Sequence, residues 1–248
     1  MVKKIDLPEL KQRISTYMSW REFNFNCHIS LKHEFVYLET PKVGCSSIKF
    51  AMMHLELEDF ALRIEDPHLA FYNMPTVKPY QLDTDLLHEV LFSDRFFRFS
   101  FVRNPYTRTL SAYIDKIQRP EKLAGSISRA LGVMPGSSID MSYEEFLSFV
   151  LETPALKQDK HWRPQNQMLL HGLLDFHFIG RFETFAADWQ QVIERTTPQL
   201  GKHSQVFNPH ATNADDKLRR YYNGRTTSKL IKAYKDDFDI YGYPPVQT

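Results

Sequence analysis

The sequence runs Phe35-Val36-Tyr37-Leu38-Glu39-Thr40-Pro41-Lys42-Val43-Gly44-Cys45-Ser46-Ser47-Ile48-Lys49. Its first four residues are apolar and β-favouring, and Thr40-Pro41 stops the run, which predicts a short strand. Beyond Gly44 the pattern turns helical. Ile48, Met52 and Leu55 form one apolar row and Phe50, Met53 and Leu57 another, so this helix should be buried on most sides. A helix start offers backbone N–H groups without intrahelical acceptors together with positive dipole potential, a combination that favours a bound anion. Gly44 lets the backbone come close to such an anion, Ser46 and Ser47 add hydroxyl donors, and Lys42 adds a mobile positive charge. Val43 and Cys45 complete the corner, where Cys45 is read as a small side chain with no redox role.

Working outward, Phe96 to Val102 is a second strand closed by Arg103-Asn104-Pro105, and Phe176-His177-Phe178-Ile179 a third that ends at Gly180. Helices are predicted around Asp85–Leu91, from Pro105 through Ile117, and after the capping box Ser142-Tyr143-Glu144-Glu145. Thr184 is read as the cap of a helix carrying Phe185, Trp189, Val192 and Ile193, and two more helices are split near Gly224. Strands separated by helices predict an α/β fold with a central, mainly parallel sheet flanked by helices in three layers. The whole of 1–248 is read as one domain, with 1–30 a peripheral, poorly periodic segment and 119–140 a mobile insertion rich in glycine and proline. Ligands of such sheets sit at the carboxyl ends of the strands. Both chemically rich motifs fall there.

The second motif is Phe101-Val102-Arg103-Asn104-Pro105-Tyr106-Thr107-Arg108-Thr109-Leu110-Ser111-Ala112-Tyr113. Pro105 suits the first turn of a helix, with Asn104 as its cap. Arg103 at the strand end can present a guanidinium fork to a phosphate, and the Ser111 hydroxyl lies two turns on, within reach of the same group. Arg108 is expected to face solvent or pair locally.

Bulk composition narrows the function classes. The chain has 31 basic and 30 acidic side chains among 248 residues, a balance unlike that of a nucleic-acid binder dominated by phosphate contacts. Two cysteines, Cys27 and Cys45, make neither a disulfide framework nor a four-cysteine metal site. The start lacks the apolar core of a secretory signal, and no stretch has the run of apolar residues that a membrane-spanning helix needs, so the expected location is cytoplasmic unless an anchor has been removed.

The loop departs from the Walker pattern G-x-x-x-x-G-K-[ST], because its lysine precedes the glycine and the first glycine is missing. In that form it resembles the 5′-phosphosulfate loop of sulfotransferases that use 3′-phosphoadenosine 5′-phosphosulfate (PAPS). The order of that loop followed by R-N-P-Y-x-R-x-x-S-A-Y is similar to the Golgi carbohydrate sulfotransferases (chondroitin, HNK-1 and uronyl 2-O-sulfotransferases) and their bacterial relatives. The likeness continues through His161-Trp162-Arg163-Pro164-Gln165, Asp175 to Thr184, His210-Ala211-Thr212, Tyr221-Tyr222 and the ending around Tyr234 to Tyr243. It implies a metal-free transfer of a sulfuryl group from PAPS to an acceptor hydroxyl on a glycan or glycolipid, releasing adenosine 3′,5′-bisphosphate (PAP).

Under that resemblance Lys42 neutralises charge on the leaving oxygen, Ser46, Ser47 and the backbone of 44–48 hold the 5′-phosphate, and Arg103 and Ser111 hold the 3′-phosphate. His210, Thr212 and Lys217 close over the 3′-phosphate. His68, between the two motifs in Asp66-Pro67-His68-Leu69-Ala70-Phe71, is the expected general base, with His54 and His161 as the competing histidines. Trp162, Phe185 or Trp189 flank adenine or acceptor, or else belong to the core. Two other readings are open at this point. A nucleotide kinase of related fold should carry the Walker lysine after the glycine, and a non-catalytic PAPS-binding or PAP-binding module should lack a base.

Overall fold

The computed structural model describes residues 5–59, 75–119, 126–134, 137, 139–198 and 214–245. In chain order its elements are α1 (Leu7–Ser15), α2 (Trp20–Asn26), β1 (Cys27–Ser30), β2 (Phe35–Leu38), α3 (Cys45–Leu57), α4 (Thr84–Phe92), β3 (Phe97–Val102) and α5 (Pro105–Lys116). Then come α6 (Ser126–Leu131), α7 (Tyr143–Glu152), α8 (Gln165–Met168), β4 (Phe178–Arg181), α9 (Phe185–Thr196), α10 (Ala214–Tyr221), α11 (Gly224–Ala233) and α12 (Lys235–Tyr241). The chain groups into two compact units, a sheet unit of Met1–Val102 with Leu169–Pro209 and a helical unit of Arg103–Met168 with His210–Thr248. Among the described residues no helix is long and apolar enough to cross a membrane.

The sheet unit holds four strands in the order β1-β2-β3-β4. β2, β3 and β4 run parallel, and β1 pairs antiparallel with β2 at the edge. This is the mixed α/β arrangement expected from strands alternating with helices. Strand alternation sends Phe35, Tyr37, Phe99 and Phe101 to one face, where they pack with Ile48 and Met52 of α3 and with Trp189, Val192 and Ile193 of α9. The first apolar row of α3, Ile48, Met52 and Leu55, is buried there, but of the second row only Met53 is, since Phe50 is half-buried and Leu57 at the helix end is 49% exposed.

Three expectations change in this unit. Residues 1–30 are not merely peripheral, since α1 and α2, capped by Asp6 and Ser19, bury Leu10, Ile14 and Phe23, and the segment ends in the fully buried β1. Helices of nine and seven residues are too short for their periodicity to stand out in a mixed sequence. β4 does not stop at Gly180 but runs through it, because Gly180 pairs with Phe101 and a Cβ there would lie 2.5 Å from the Phe101 ring. Glycine here makes room for an aromatic neighbour instead of breaking the strand. Thr184 caps nothing: its hydroxyl donates to Asp188 at 2.8 Å, and that carboxylate also accepts the Arg181 N–H at 2.6 Å.

In the helical unit the capping box opens α7 as expected, with Ser142 N–H donating to Glu145 at 2.8 Å and the Glu145 N–H to the Ser142 hydroxyl at 3.3 Å. α7 packs on α5 and α11, α10 on α5, and α12 on α8. Asp237 of α12 fixes the last pair. Its buried carboxylate accepts the N–H groups of Gln165 at 2.7 Å and Asn166 at 2.8 Å, at the start of α8. Of the segment 119–140, the described part contains α6.

Candidate functional site

Each unit carries one of the two motifs. In the sheet unit the chain leaves β2 at Leu38 and enters α3 at Cys45. Between them Lys42 has φ 72° and Gly44 φ 88°. A lysine in the left-handed region costs free energy and persists only where its surroundings over-determine it. Gly44 meets a second constraint, since a Cβ on it would lie 2.9 Å from Cε2 of Phe185. Val43 between them is fully buried, so the corner is pinned from inside while Lys42, Gly44 and Ser46 stay partly exposed.

The helix start that follows differs from its neighbours. α1, α2, α4 and α7 open on Asp6, Ser19, Asp83 and Ser142, whose side chains accept first-turn N–H groups, and each has an acid in its first turn. α3 opens on Gly44 with no side-chain cap and no acid in its first turn. Its first intrahelical bond runs from Ile48 N–H to the Gly44 carbonyl at 3.2 Å. The positive end of α3 is thus not neutralised by a carboxylate of its own, and Lys42 adds to it. Ser47 is buried and Ser46 half-buried at this turn, and Cys45 is a buried thiol.

In the helical unit Asn104 caps α5 by accepting the Tyr106 N–H at 3.0 Å, with Pro105 in the first turn. Arg103 is buried and held at both ends. Its N–H donates to Gln165 Oε1 at 2.8 Å, and its carbonyl accepts Gln165 Nε2 at 2.8 Å. Its Nε donates to the Thr107 hydroxyl at 2.9 Å. Thr107 and Ser111 are four residues apart and lie on one face of α5. Arg103, just before α5, and Thr107 and Ser111 within it therefore stand at intervals of four, and all three are buried, like the rest of the helix from Pro105 to Ile114.

Thr107 and Gln165 act at this site without being among the residues that the motifs assign to it. The spacing of four could have drawn attention to Thr107. Gln165 ends a stretch that carries the family resemblance, but its role is not legible there, because its partner is 62 positions away. Arg108 corrects the expectation of a solvent-facing side chain: it is 1% exposed and donates to the carbonyls of Arg163 at 2.9 Å and Lys160 at 3.2 Å. It is a buried strut that fastens the 160–163 segment to α5.

The remaining candidates divide. His68, His210 and Thr212 lie outside the described residues, and Lys217 is exposed on α10. Trp162 and Trp189 are core residues, Trp162 with its ring edge-on to Phe146 and Trp189 against Phe99 and Phe101. Phe185 is half-buried over Gly44. His161 Nδ1 lies 2.5 Å from Oδ1 of Asp159, and burial brings its pKa down to about 4. The imidazole is therefore neutral at pH 7, with Asp159 fixing Nδ1 as the protonated nitrogen.

Residues 26–244 match the sequence profile of the sulfotransferase family. The chain is similar to carbohydrate sulfotransferase 14 of Danio rerio, 26% identical over 86% of this chain and 60% of that protein. It is 28% identical to the human carbohydrate sulfotransferase 14 over 67% of this chain and 45% of that protein. With human carbohydrate sulfotransferase 9 the identity is 25% over 85% of this chain and 47% of that protein. The chain thus spans about half the length of these relatives. No solved structure matches it at a significant level.

Proposed function

The chain belongs to the sulfotransferase family, and on that premise we propose that it transfers a sulfuryl group from PAPS to a hydroxyl of a carbohydrate or glycoconjugate. The observation that carries the proposal is the corner before α3. A left-handed lysine and a left-handed glycine lead into a helix start that has no acid of its own, an arrangement suited to a phosphate-linked leaving group. The carbohydrate part of the proposal follows the names of the relatives.

In this reading the acceptor oxygen attacks sulfur in line, the bond from sulfur to the bridging phosphate oxygen breaks, and PAP departs with the electron pair. The acceptor proton passes to a base, for which the family resemblance offers His68. As in phosphoryl transfer, positioning and charge stabilisation outweigh covalent chemistry by the protein. Lys42 opposes the charge that develops on the leaving oxygen, and Val43, Gly44, Cys45, Ser46 and Ser47 cradle the 5′-phosphate. Arg103 and Ser111 take the 3′-phosphate, with Thr107 orienting the guanidinium through Nε and Thr212 closing over the same group.

The test is an acceptor screen with labelled PAPS, read by mass spectrometry for the gain of one SO₃, together with calorimetry of PAP and AMP. PAP should bind more tightly than AMP by at least about 1.5–3 kcal/mol, the scale of hydrogen bonds to a charged group. Lys42→Ala should lower kcat more than it lowers PAP affinity, because an interaction strongest in the transition state shows in turnover. Equal affinities for PAP and AMP would remove the 3′-phosphate assignment, and a Lys42→Ala enzyme with unchanged kcat would remove the catalytic one.

A further inference from the structure

Glu39 is the first residue beyond β2, and it is buried. Its carboxylate receives Nζ of Lys49 at 3.2 and 3.3 Å, one distance to each oxygen. On its other side His28 Nε2 lies 3.3 Å away. His28 in turn meets Nζ of Lys78 at 3.0 Å through Nδ1, and Lys78 donates to the carbonyls of Cys27 at 3.1 Å and Phe25 at 3.4 Å. An ammonium can only donate, so Nδ1 is the acceptor and Nε2 carries the proton that points at Glu39. Burial and the nearby Lys78 bring the His28 pKa down to about 3, which keeps the ring neutral.

Two ammonium groups, one carboxylate and a neutral imidazole thus form one cluster, all of them buried. Apolar side chains of similar size would fill this space at no greater cost, so packing alone does not account for the cluster. Its position in the chain offers a reason. Glu39 stands three residues before Lys42 and Lys49 five residues after Gly44, so their ion pair ties the strand-side stem of the loop to the helix-side stem. Lys42, in its left-handed conformation, sits in the segment that this pair closes. A strained backbone keeps its geometry only if its ends are fixed, and a buried ion pair with a set direction fixes them better than an apolar contact that can slide.

We infer that Glu39 is a positioning residue: through Lys49 on one side and His28 with Lys78 on the other, it holds the loop stems so that Lys42 is presented in its left-handed conformation. The inference rests on the reading of Lys42 given under Proposed function and adds a residue to it. Glu39 itself is buried, at 2% exposed. Its effect on turnover must therefore pass through Lys42, which sets it apart from a residue that only stabilises the fold.

The experiment is a double-mutant cycle of Glu39→Gln and Lys42→Ala, with kcat, PAP affinity by calorimetry and melting temperature measured for all four proteins. Misplacing a catalytic group by about 1 Å can cost about 100-fold, so Glu39→Gln alone should lower kcat by about 10–100-fold. PAP affinity should fall by less than kcat does, and in the Lys42→Ala background the same change should alter kcat by less than about two-fold, the non-additivity of residues acting in series. Equal fold-losses in the two backgrounds, or an unchanged kcat for Glu39→Gln, would overturn the inference. Should Glu39→Gln fail to fold with Lys49 left unpaired, Glu39→Gln/Lys49→Met removes both charges and takes its place in the cycle.

An arm independent of activity is amide hydrogen exchange of peptides covering residues 40–48, measured without nucleotide. Exchange there should rise by about ten-fold or more in Glu39→Gln, as expected for release of a locally held segment, and unchanged exchange would overturn the inference by itself. If exchange rises as expected but the wild-type protein transfers no sulfuryl group, the positioning of the loop stands and the enzymatic reading falls.

Discussion

Replacing Gly44 by alanine probes the loop at the point where backbone and side-chain constraints meet. At φ 88° an L residue is strained, and the left-handed conformation costs about 1–2 kcal/mol for a residue with a Cβ. The added carbon would also lie 2.9 Å from Cε2 and 3.4 Å from Cδ2 of Phe185. That ring cannot retreat freely, because its centroid is 5.0 Å from that of Phe101. Overpacking of this kind costs about 1–3 kcal/mol. Alanine restricts the unfolded chain and returns about 0.4–1 kcal/mol, so the net loss should be about 2–4 kcal/mol.

Urea denaturation followed by circular dichroism measures it. Gly44→Ala/Phe185→Leu separates the two causes. Measured against Phe185→Leu alone, the double mutant should lose the steric part and keep the conformational part of about 1–2 kcal/mol, less the roughly 0.4–1 kcal/mol returned by the unfolded chain. PAP affinity should fall in both proteins, since the backbone at this corner is proposed to face the phosphate. A Gly44→Ala protein within about 0.5 kcal/mol of wild type, the range of an ordinary surface substitution, would refute a left-handed corner pressed against Phe185.

Three further outcomes are expected. Gln165→Ala removes both hydrogen bonds to the Arg103 backbone, leaving a buried N–H and C=O without that partner. It should cost about 2–4 kcal/mol in denaturation and weaken PAP more than AMP, and an equal loss for the two nucleotides would show that Gln165 does not position Arg103 for the 3′-phosphate. The folded-state pKa values of about 3 for His28 and about 4 for His161 lie below the ordinary 6.5, so the unfolded chain binds more protons between those limits. Stability should be nearly full at pH 7 and above and fall on acidification by about 4 kcal/mol between pH 7 and pH 5, whereas a flat profile in urea titrations over that range would contradict neutral burial of both rings. His68→Ala should lose about 10²–10⁴-fold in kcat with PAP binding intact, and unchanged turnover, with collapse in a parallel His161→Ala or His54→Ala protein, would move the base to that histidine.

The sequence by itself determined what is local. The strand Phe35–Leu38, the corner at Gly44 and the buried helix after it follow from a four-residue apolar run, a glycine and a helical repeat, all within about twenty-five positions. The start of α5 follows in the same way from Asn104-Pro105, because capping and the fixed φ of proline act between neighbours. The family resemblance was legible for the same reason, since its two main motifs are short and contiguous.

The tertiary structure decided what depends on a distant partner. Arg108 reads as a surface residue until the carbonyls of Lys160 and Arg163 come to it from over fifty positions away. Gly180 reads as a terminator until Phe101 fills the space where its side chain would be. The cluster of Glu39, His28, Lys49 and Lys78 has no sequence signature, since each residue alone would be assigned to solvent. Burial reverses that assignment. Once water is excluded, a charged group must find its hydrogen-bond partners within the protein, and for three of these four residues a neighbour in that network comes from a segment that only folding brings near.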